Sequence, residues 1–387
     1  MKIKKKPLSI YIHIPFCVRK CLYCDFLSGP AGDETKSRYV EQLLEEIRRE
    51  SVKYDSYEVH TVFFGGGTPS LLPAFAIERI LKTVASVFCM KKECEISIEV
   101  NPGTVTEEKL MAYREMGINR LSIGLQSADN EELRLLGRIH TYEDFLMTYK
   151  IAIKSGFNNI NIDLMSAIPA QTLQSYQETL NKVLSLNPQP AHISAYSLII
   201  EEGTPFYDHT PSLPDEETER ELYKITNDIL SEAGYQRYEI SNYAKSGYQC
   251  AHNKVYWKRG DYVGFGIGAA SLIDNVRFKN IENMESYLSG RDVREDVQTL
   301  SVEEQMEEYM FLGLRLTEGI QEEDFKATFG RTIEEIYPGV VEKFVKQGLL
   351  SYKPGDKPGA GCIALTDYGL DVSNVVMAEF LLSDESV

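Results

Sequence analysis

The chain has 387 residues, 43% of them hydrophobic, and its formal net charge at pH 7 is −17. This composition excludes a disordered chain, and the length suggests one large domain with a smaller one. The acidic balance disfavours a broad nucleic-acid surface, and no apolar run approaches the roughly 18 residues of a membrane span. The seven cysteines lack disulfide-like spacing and no secretory leader follows the basic start, so we expect a reducing, cytoplasmic setting.

Short β-rich runs alternate with amphipathic helical patterns through the first 240 residues. Each run is mostly Ile, Val, Leu and Phe and ends at a turn-forming residue, which is typical of buried parallel strands. The runs are 9–15, 61–67, 95–102, 120–127, 159–169 and 192–201. Six successive βα units predict an α/β fold, with a partial parallel (β/α)6 TIM-like barrel over residues 1–235. The two further units of a full barrel are missing.

Beyond the barrel the pattern changes twice. Residues 236–298 are rich in Tyr and Gly, and we expect them to form loops and short strands over an edge or the mouth of the barrel. A capping box of Ser301 and Glu304 opens residues 299–387, where helices and a hairpin predict a small winged-helix-like domain. Residues 301–387 contain seven Lys and Arg against seventeen Asp and Glu, a net charge of −10. This acidity favours a packing or lid role over DNA binding.

Three of the seven cysteines, Cys17, Cys21 and Cys24, lie within eight residues directly after the first predicted strand. That position is the carboxyl end of the barrel, where barrel enzymes carry their chemistry. Three thiolates supply three of the four ligands of a small iron–sulfur cluster, whereas a structural zinc site normally takes four protein ligands. Buried structural thiols are the alternative.

The CxxxCxxC spacing after the first strand of a partial barrel resembles the radical S-adenosylmethionine (SAM) superfamily. The resemblance implies a [4Fe–4S] cluster on the three cysteines, with an open iron that the amino and carboxylate groups of SAM chelate. It also implies a low-potential electron donor, whose electron lets the cluster cleave SAM to methionine and a 5′-deoxyadenosyl radical. The SAM-contacting positions carried over from the family are Tyr11, Tyr23, Gly66, Gly67, Thr68, Glu99, Gln126, Arg138 and Asp163.

Within the superfamily, the segments GGGTP, LGRIH, EEGTPF, YEISNYA and GFGIGA resemble the HemN/HemW group. Two features depart from its oxygen-independent coproporphyrinogen dehydrogenases. Phe26 stands where they carry a fourth cysteine, and only sixteen residues precede Cys17. The segment HNKVYW resembles the HNxxYW motif of the heme-chaperone branch, which implies heme as a ligand and heme-acceptor proteins as partners. The candidate heme contacts are His252, Tyr256 and Trp257.

Three functions therefore compete. The first is a heme chaperone with a radical SAM site, and the second is oxidative decarboxylation of coproporphyrinogen III. The third is a redox-sensing winged-helix regulator, which the acidic second domain disfavours.

His252 and Asn253 have an alternative role, since such a pair can fix a loop through hydrogen bonds. One departure from the group is Ala167, where relatives usually carry Gly.

Overall fold

The computed structural model describes residues 5–290, 294–355 and 360–382. Its first part alternates strands with helices. The strands are β1 Lys6–Ile14, β2 Tyr57–Gly66, β3 Met90–Val100, β4 Arg120–Gln126, β5 Ile160–Ser166 and β6 His192–Ser197. The helices are α1 Asp33–Ser51, α2 Ala74–Val87, α3 Glu107–Glu115, α4 Asn130–Leu135, α5 Tyr142–Lys154, α6 Leu173–Leu184, α7 Pro205–Asp208 and α8 Glu216–Glu232.

Strands β1 to β6 pair in parallel and in chain order. The α/β fold class with a mostly parallel sheet is therefore confirmed. Apolar side chains on the outer faces of the strands, such as Ile10, Ile12 and Ile98, are fully buried in one large core. The helices supply the rest of that core, because their apolar stripes need a partner surface.

The next part extends this sheet at both ends. It comprises β7 Gln236–Arg237, β8 Asn242–Ala244, α9 Ala251–Trp257, β9 Tyr262–Phe265, β10 Ala270–Ile273, β11 Val276–Asn280, α10 Met284–Leu288 and β12 Arg294–Thr299. Strand β8 pairs antiparallel with β6, whereas β9 pairs in parallel with β1. The segment thus adds strands at both ends of the parallel sheet. Helix α9 lies in the connection that runs from β8 at one end to β9 at the other. In the described residues the whole sheet has twelve strands.

The last part forms a second core of its own around Phe325, Ile363 and Phe380. Ser301 and Glu304 make the expected capping box. The helical pattern over 332–348 is split in two at Pro338, which cannot donate a helical hydrogen bond. The elements are α11 Val302–Gly313, β13 Ile320–Gln321, α12 Glu322–Phe329, α13 Ile333–Ile336, α14 Val340–Lys346, β14 Leu350–Lys353, β15 Cys362–Leu365, α15 Asp367–Asp371 and α16 Ser373–Ala378.

The inner face of the barrel is polar. Every second residue of the six parallel strands points inward, since side chains alternate along a strand. The inward positions include Ser9, Thr61, Glu95, Ser97, Glu99, Arg120, Ser122, Asn161, Asp163, His192 and Ser194.

No helix in the described ranges is long and apolar enough to span a bilayer.

Candidate functional site

The three clustered cysteines line one cavity of about 310 Å³ at the carboxyl ends of the strands. We call it the cysteine cavity. Backbone hydrogen bonds hold the loop that carries the three cysteines. The amide of Cys17 donates to the carbonyl of Gly29, and the amide of Leu22 donates to the carbonyl of Leu136. Within the described ranges no group of three or more His, Cys, Asp or Glu is close enough to hold a single metal ion. Thiols spread around a cavity instead fit a multi-iron cluster, in which each thiolate binds a different iron.

The glycine turn after β2 fits tightly beneath the cysteine loop. Gly66 has φ +109°, and a Cβ there would lie 2.6 Å from the His13 ring. A Cβ on Gly67 would lie 2.7 Å from the carbonyl oxygen of Phe16 and 3.0 Å from Cys17 Sγ. Any side chain at these two positions would displace the loop, so glycine is required for the close approach.

Arg138 connects the cysteine loop to the sheet. Its Nη1 donates to Cys21 Sγ at 3.6 Å, while Nη2 donates to Asn101 Oδ1 at 2.7 Å and to the carbonyl of Gly124 at 2.9 Å. Asn101 in turn donates to Thr68 Oγ1 at 2.7 Å. The guanidinium therefore ties the cysteine loop, through Cys21, to the ends of the neighbouring strands. Asn101 was not predicted, although it ends β3 just as Gln126 ends β4.

Two carboxyl groups, Glu99 on β3 and Asp163 on β5, line the deep side of this cavity. Glu99 Oε2 accepts a hydrogen bond from the Gly66 amide at 3.2 Å. Asp163 accepts from the Ser122 hydroxyl and from Asn161 Nδ2, the latter at 2.7 Å. Burial, and then the charge of Asp163, raises the pKa of Glu99 to about 8. Glu99 is therefore largely protonated at neutral pH and can donate as well as accept a hydrogen bond.

Gln126 and Ala167 both have left-handed backbone conformations at strand ends. Gln126 has φ 72°, and its Oε1 accepts a hydrogen bond from the Tyr196 hydroxyl at 3.0 Å. Ala167 has φ 55°, a conformation that glycine adopts more readily than alanine. Tyr196 also lines the cysteine cavity and was missed, although it lies near the carboxyl end of β6.

The two tyrosines predicted near SAM lie on different sides of the site. Tyr23 lines the cysteine cavity with the cysteines, and burial raises its pKa. Tyr11 lies deeper, where its hydroxyl hydrogen-bonds with His13 Nδ1 at 3.0 Å. The Nε2 of His13 hydrogen-bonds with the carbonyl of Leu27 at 2.8 Å, so this histidine anchors the loop from below.

A second cavity of about 240 Å³, which we call the inner cavity, lies next to the first inside the barrel. The two cavities share the lining residues Phe26, Gly66, Glu99, Ser122 and Asp163. The walls of the inner cavity also include Tyr11, Arg120, Asn161, His252 and Tyr256.

The structure separates Trp257 from the other two candidate heme contacts. His252 is 1% exposed, and its two ring nitrogens hydrogen-bond with Thr61 Oγ1 at 2.7 Å and with the Tyr256 hydroxyl at 2.8 Å. Burial lowers the pKa of His252 to about 3, which keeps its ring neutral. Trp257 instead lines a cleft against the C-terminal domain, with the guanidinium carbon of Arg315 4.2 Å from its ring centroid. His252 and Tyr256 therefore both line the inner cavity, whereas Trp257 lines a different one.

The polar inner face itself was not predicted. The alternation was present in the sequence, in runs such as EISIEV, RLSIGLQ and NINIDLM. In these runs every second residue is polar or Gly over the positions 95–99, 120–126 and 159–163. A fully apolar barrel interior would have shown no such period of two.

Comparison with known proteins places the chain in a family. A model described as "Radical SAM superfamily" matches residues 11–183, and one described as "HemN C-terminal domain" matches residues 300–355. A protein of Lactococcus lactis named "Heme chaperone HemW" is 34% identical over 386 residues, covering 98% of this chain and 99% of its own. The chain belongs to the HemW family of radical SAM proteins.

Other relatives agree with this assignment. The Escherichia coli protein of the same name is 37% identical over 355 residues, which cover 90% of this HemW-family chain and 93% of its own. The solved structure of E. coli coproporphyrinogen III oxidase (HemN) superposes with a TM-score of 0.81 and covers 98% of this chain and 91% of its own. At 23% identity this likeness shows that the two share a fold.

Proposed function

We propose that the protein is a heme chaperone that binds a [4Fe–4S] cluster, SAM and heme, and delivers heme to acceptor proteins. The observation that carries the proposal is the similarity to proteins named as heme chaperones along nearly the whole chain. Phe26 supports it, because a 60% exposed phenylalanine stands at the cavity rim where the porphyrinogen dehydrogenases have a fourth cysteine. The proposal includes a reducing cytoplasmic setting and a low-potential electron donor.

Cys17, Cys21 and Cys24 would hold the cluster, and the other predicted positions around the cysteine cavity would hold SAM. A bound cluster with SAM supplies one-electron chemistry, as in the superfamily at large. Gly66 and Gly67 let the cysteine loop approach the sheet closely, and the protonated Glu99 offers a hydrogen bond to a polar ligand group. These residues bind and orient the ligand.

A test of the cluster compares Cys24→Ser with Cys89→Ser, which changes an exposed cysteine far along the chain. We expect anaerobically reconstituted wild type and Cys89→Ser to bind about four irons per chain, since both retain all three ligands. Cys24→Ser should lose most iron and the visible absorption of the cluster. Equal iron content in all three proteins would contradict the assignment.

Heme binding at His252 requires the α9 helix to change its contacts, because both nitrogens of the ring are already hydrogen-bonded. Tyr256→Phe removes one of these bonds and leaves the ring nitrogen Nε2 free, while His252→Ala removes the ligand. The two variants therefore separate a heme ligand from a histidine that only fixes α9.

We would titrate heme anaerobically into reconstituted wild type, His252→Ala and Tyr256→Phe and follow visible absorption. If His252 binds the iron, saturable binding near one heme per chain weakens at least tenfold in His252→Ala and is retained or tightened in Tyr256→Phe. Equal binding by all three keeps the heme chaperone proposal but removes His252 from the site. Absence of heme binding to wild type overturns the proposal, and turnover of coproporphyrinogen becomes the next activity to measure.

A further inference from the structure

Arg120 is a buried cation without a partner. Its side chain points into the barrel from the first residue of β4, and the residue is 2% exposed. It makes no hydrogen bond or ion pair with any residue in the described ranges, and its Nε is a buried donor without an acceptor. Ser97, its register neighbour on β3, likewise has a buried hydroxyl without a partner. A buried guanidinium stays charged, so donors left unpaired cost stability unless a ligand or water accepts from them.

The acceptors around Arg120 are engaged elsewhere. Glu95 accepts from the backbone amides of Ala251 and His252 at 3.0 and 3.1 Å. Asp163 accepts from Ser122 and Asn161, as described above. These carboxyl groups contribute to the field at Arg120 but do not hydrogen-bond with it. The fork of N–H donors therefore remains available to the inner cavity, which Arg120 lines.

The positive charge of Arg120 affects the titratable groups around the inner cavity. Burial is the largest cause of the lowered pKa values of His192 and His252, and the charge of Arg120 is the second. Both histidines are consequently neutral and do not compete with Arg120 as cations. Because the pKa of Glu99 is raised by burial, this carboxyl is mostly neutral too and repels an anion less than a carboxylate would.

We propose that Arg120 is a binding residue for a carboxylate group that occupies the inner cavity. A planar guanidinium pairs with a carboxylate through two parallel hydrogen bonds, which a spherical anion or a single water cannot reproduce. The cavity of about 240 Å³ accommodates a short aliphatic carboxylate but not a tetrapyrrole ring. The carboxylate thus comes either from a small free acid or from a carboxylate arm of a larger ligand whose body stays outside.

The first experiment tests the free acid. Thermal unfolding of the full chain is measured in increasing propionate, with sodium chloride keeping the ionic strength constant. We expect propionate to raise the midpoint of wild type in a saturable way and to leave Arg120→Gln unshifted, since ligands that bind only the folded state stabilise it. Arg259→Gln is the matched control, because Arg259 is also buried but is ion-paired with Glu308. That variant should be less stable yet respond to propionate like wild type.

The second experiment tests the carboxylate arm, and this experiment rests on the proposed function. Heme and heme dimethyl ester, which has no free carboxylates, are titrated into wild type and Arg120→Gln. A tetrapyrrole arm at Arg120 predicts at least a tenfold weaker binding of heme by the variant and equal binding of the ester by both proteins. Arg120→Lys keeps the charge but lacks the planar fork, and it replaces Arg120→Gln if that variant does not fold. We expect Lys to lose most of the effect.

The outcomes separate this proposal from the heme chaperone proposal. An Arg120-dependent response to propionate or to heme carboxylates supports the site, and the responding ligand identifies its source. If wild type binds no heme, the chaperone proposal fails while the propionate experiment still decides on Arg120. If neither ligand distinguishes wild type from the Arg120 variants, the guanidinium is hydrated by water only and the proposal is overturned.

Discussion

Burial and the neighbouring Asp163 both raise the pKa of Glu99, and this makes the stability of the protein depend on pH. Its folded pKa of about 8 lies above the ordinary value of 4.5. Between these values the folded chain holds a proton that the unfolded chain releases. The stability that Glu99 contributes is therefore complete below about pH 4.5 and is lost as the pH rises through 8.

Replacing Glu99 with Gln removes this titration while keeping the shape of the side chain. We expect Glu99→Gln to gain stability relative to wild type by about 1–2 kcal/mol between pH 5 and pH 8. Each pKa unit is worth about 1.4 kcal/mol at most, and contact with the open cavity reduces that figure. Thermal unfolding of cluster-free protein across pH 5–9 measures the difference. Glu93→Gln, an exposed change on the same strand, is the control, and parallel curves for all three proteins would contradict the assignment.

At the scale of elements, helix α9 is attached to the barrel by a side chain of strand β3. Its N-cap residue Cys250 makes no capping side-chain hydrogen bond. Glu95 on β3 takes that role, since its carboxylate accepts from the first two backbone amides of the helix, those of Ala251 and His252. The HNKVYW segment is thus fixed to the barrel by a distant residue, which no local pattern around position 252 could indicate.

We expect Glu95→Ala to destabilise the protein by about 2 kcal/mol, because it leaves the first two backbone amides of α9 without a charged acceptor. Glu93→Ala removes an exposed carboxylate two residues earlier on β3 and should change stability by less than about 0.5 kcal/mol. The midpoints of urea unfolding compare the two variants. Equal midpoints would mean that α9 does not depend on Glu95.

At the scale of the whole molecule, a buried ion pair joins the C-terminal domain to the segment that extends the barrel sheet, residues 236–298. Glu308 on α11 accepts from Arg259 at 2.8 Å and from Arg277 on β11. The side chains of Arg259 and Glu308 are each only 8% exposed. A pair this buried contributes little net stability when intact, but loss of one partner leaves a buried charge behind.

Glu308→Gln should therefore cost about 3–5 kcal/mol, as expected when one member of a buried pair is removed. Glu342→Gln breaks an exposed pair with Lys346, in which the two side chains are 69% and 71% exposed, and should leave stability nearly unchanged. Chemical denaturation of the full chain gives both values. A Glu308→Gln midpoint as close to wild type as that of Glu342→Gln would show that the interface does not depend on this pair.

Several features could be predicted from the sequence because they depend on neighbours along the chain. The parallel strands followed from apolar runs, and the capping box at Ser301 followed from local spacing. The division of residues 332–348 at Pro338 had a local cause and could have been predicted as well. The alternation on the inner face was also visible, but its meaning depends on knowing that the sheet curls around a polar interior.

By itself, the sequence determined the α/β fold class, the spacing of Cys17, Cys21 and Cys24, and the family resemblance. These follow from residue type and periodicity, which act over a few positions of the chain. Only the tertiary structure decided that Arg120 has no partner, that His252 has two, and that Trp257 faces the other domain. These properties depend on which groups the folded chain brings together, such as Thr61 and His252, and on which donors and acceptors the barrel leaves unpaired.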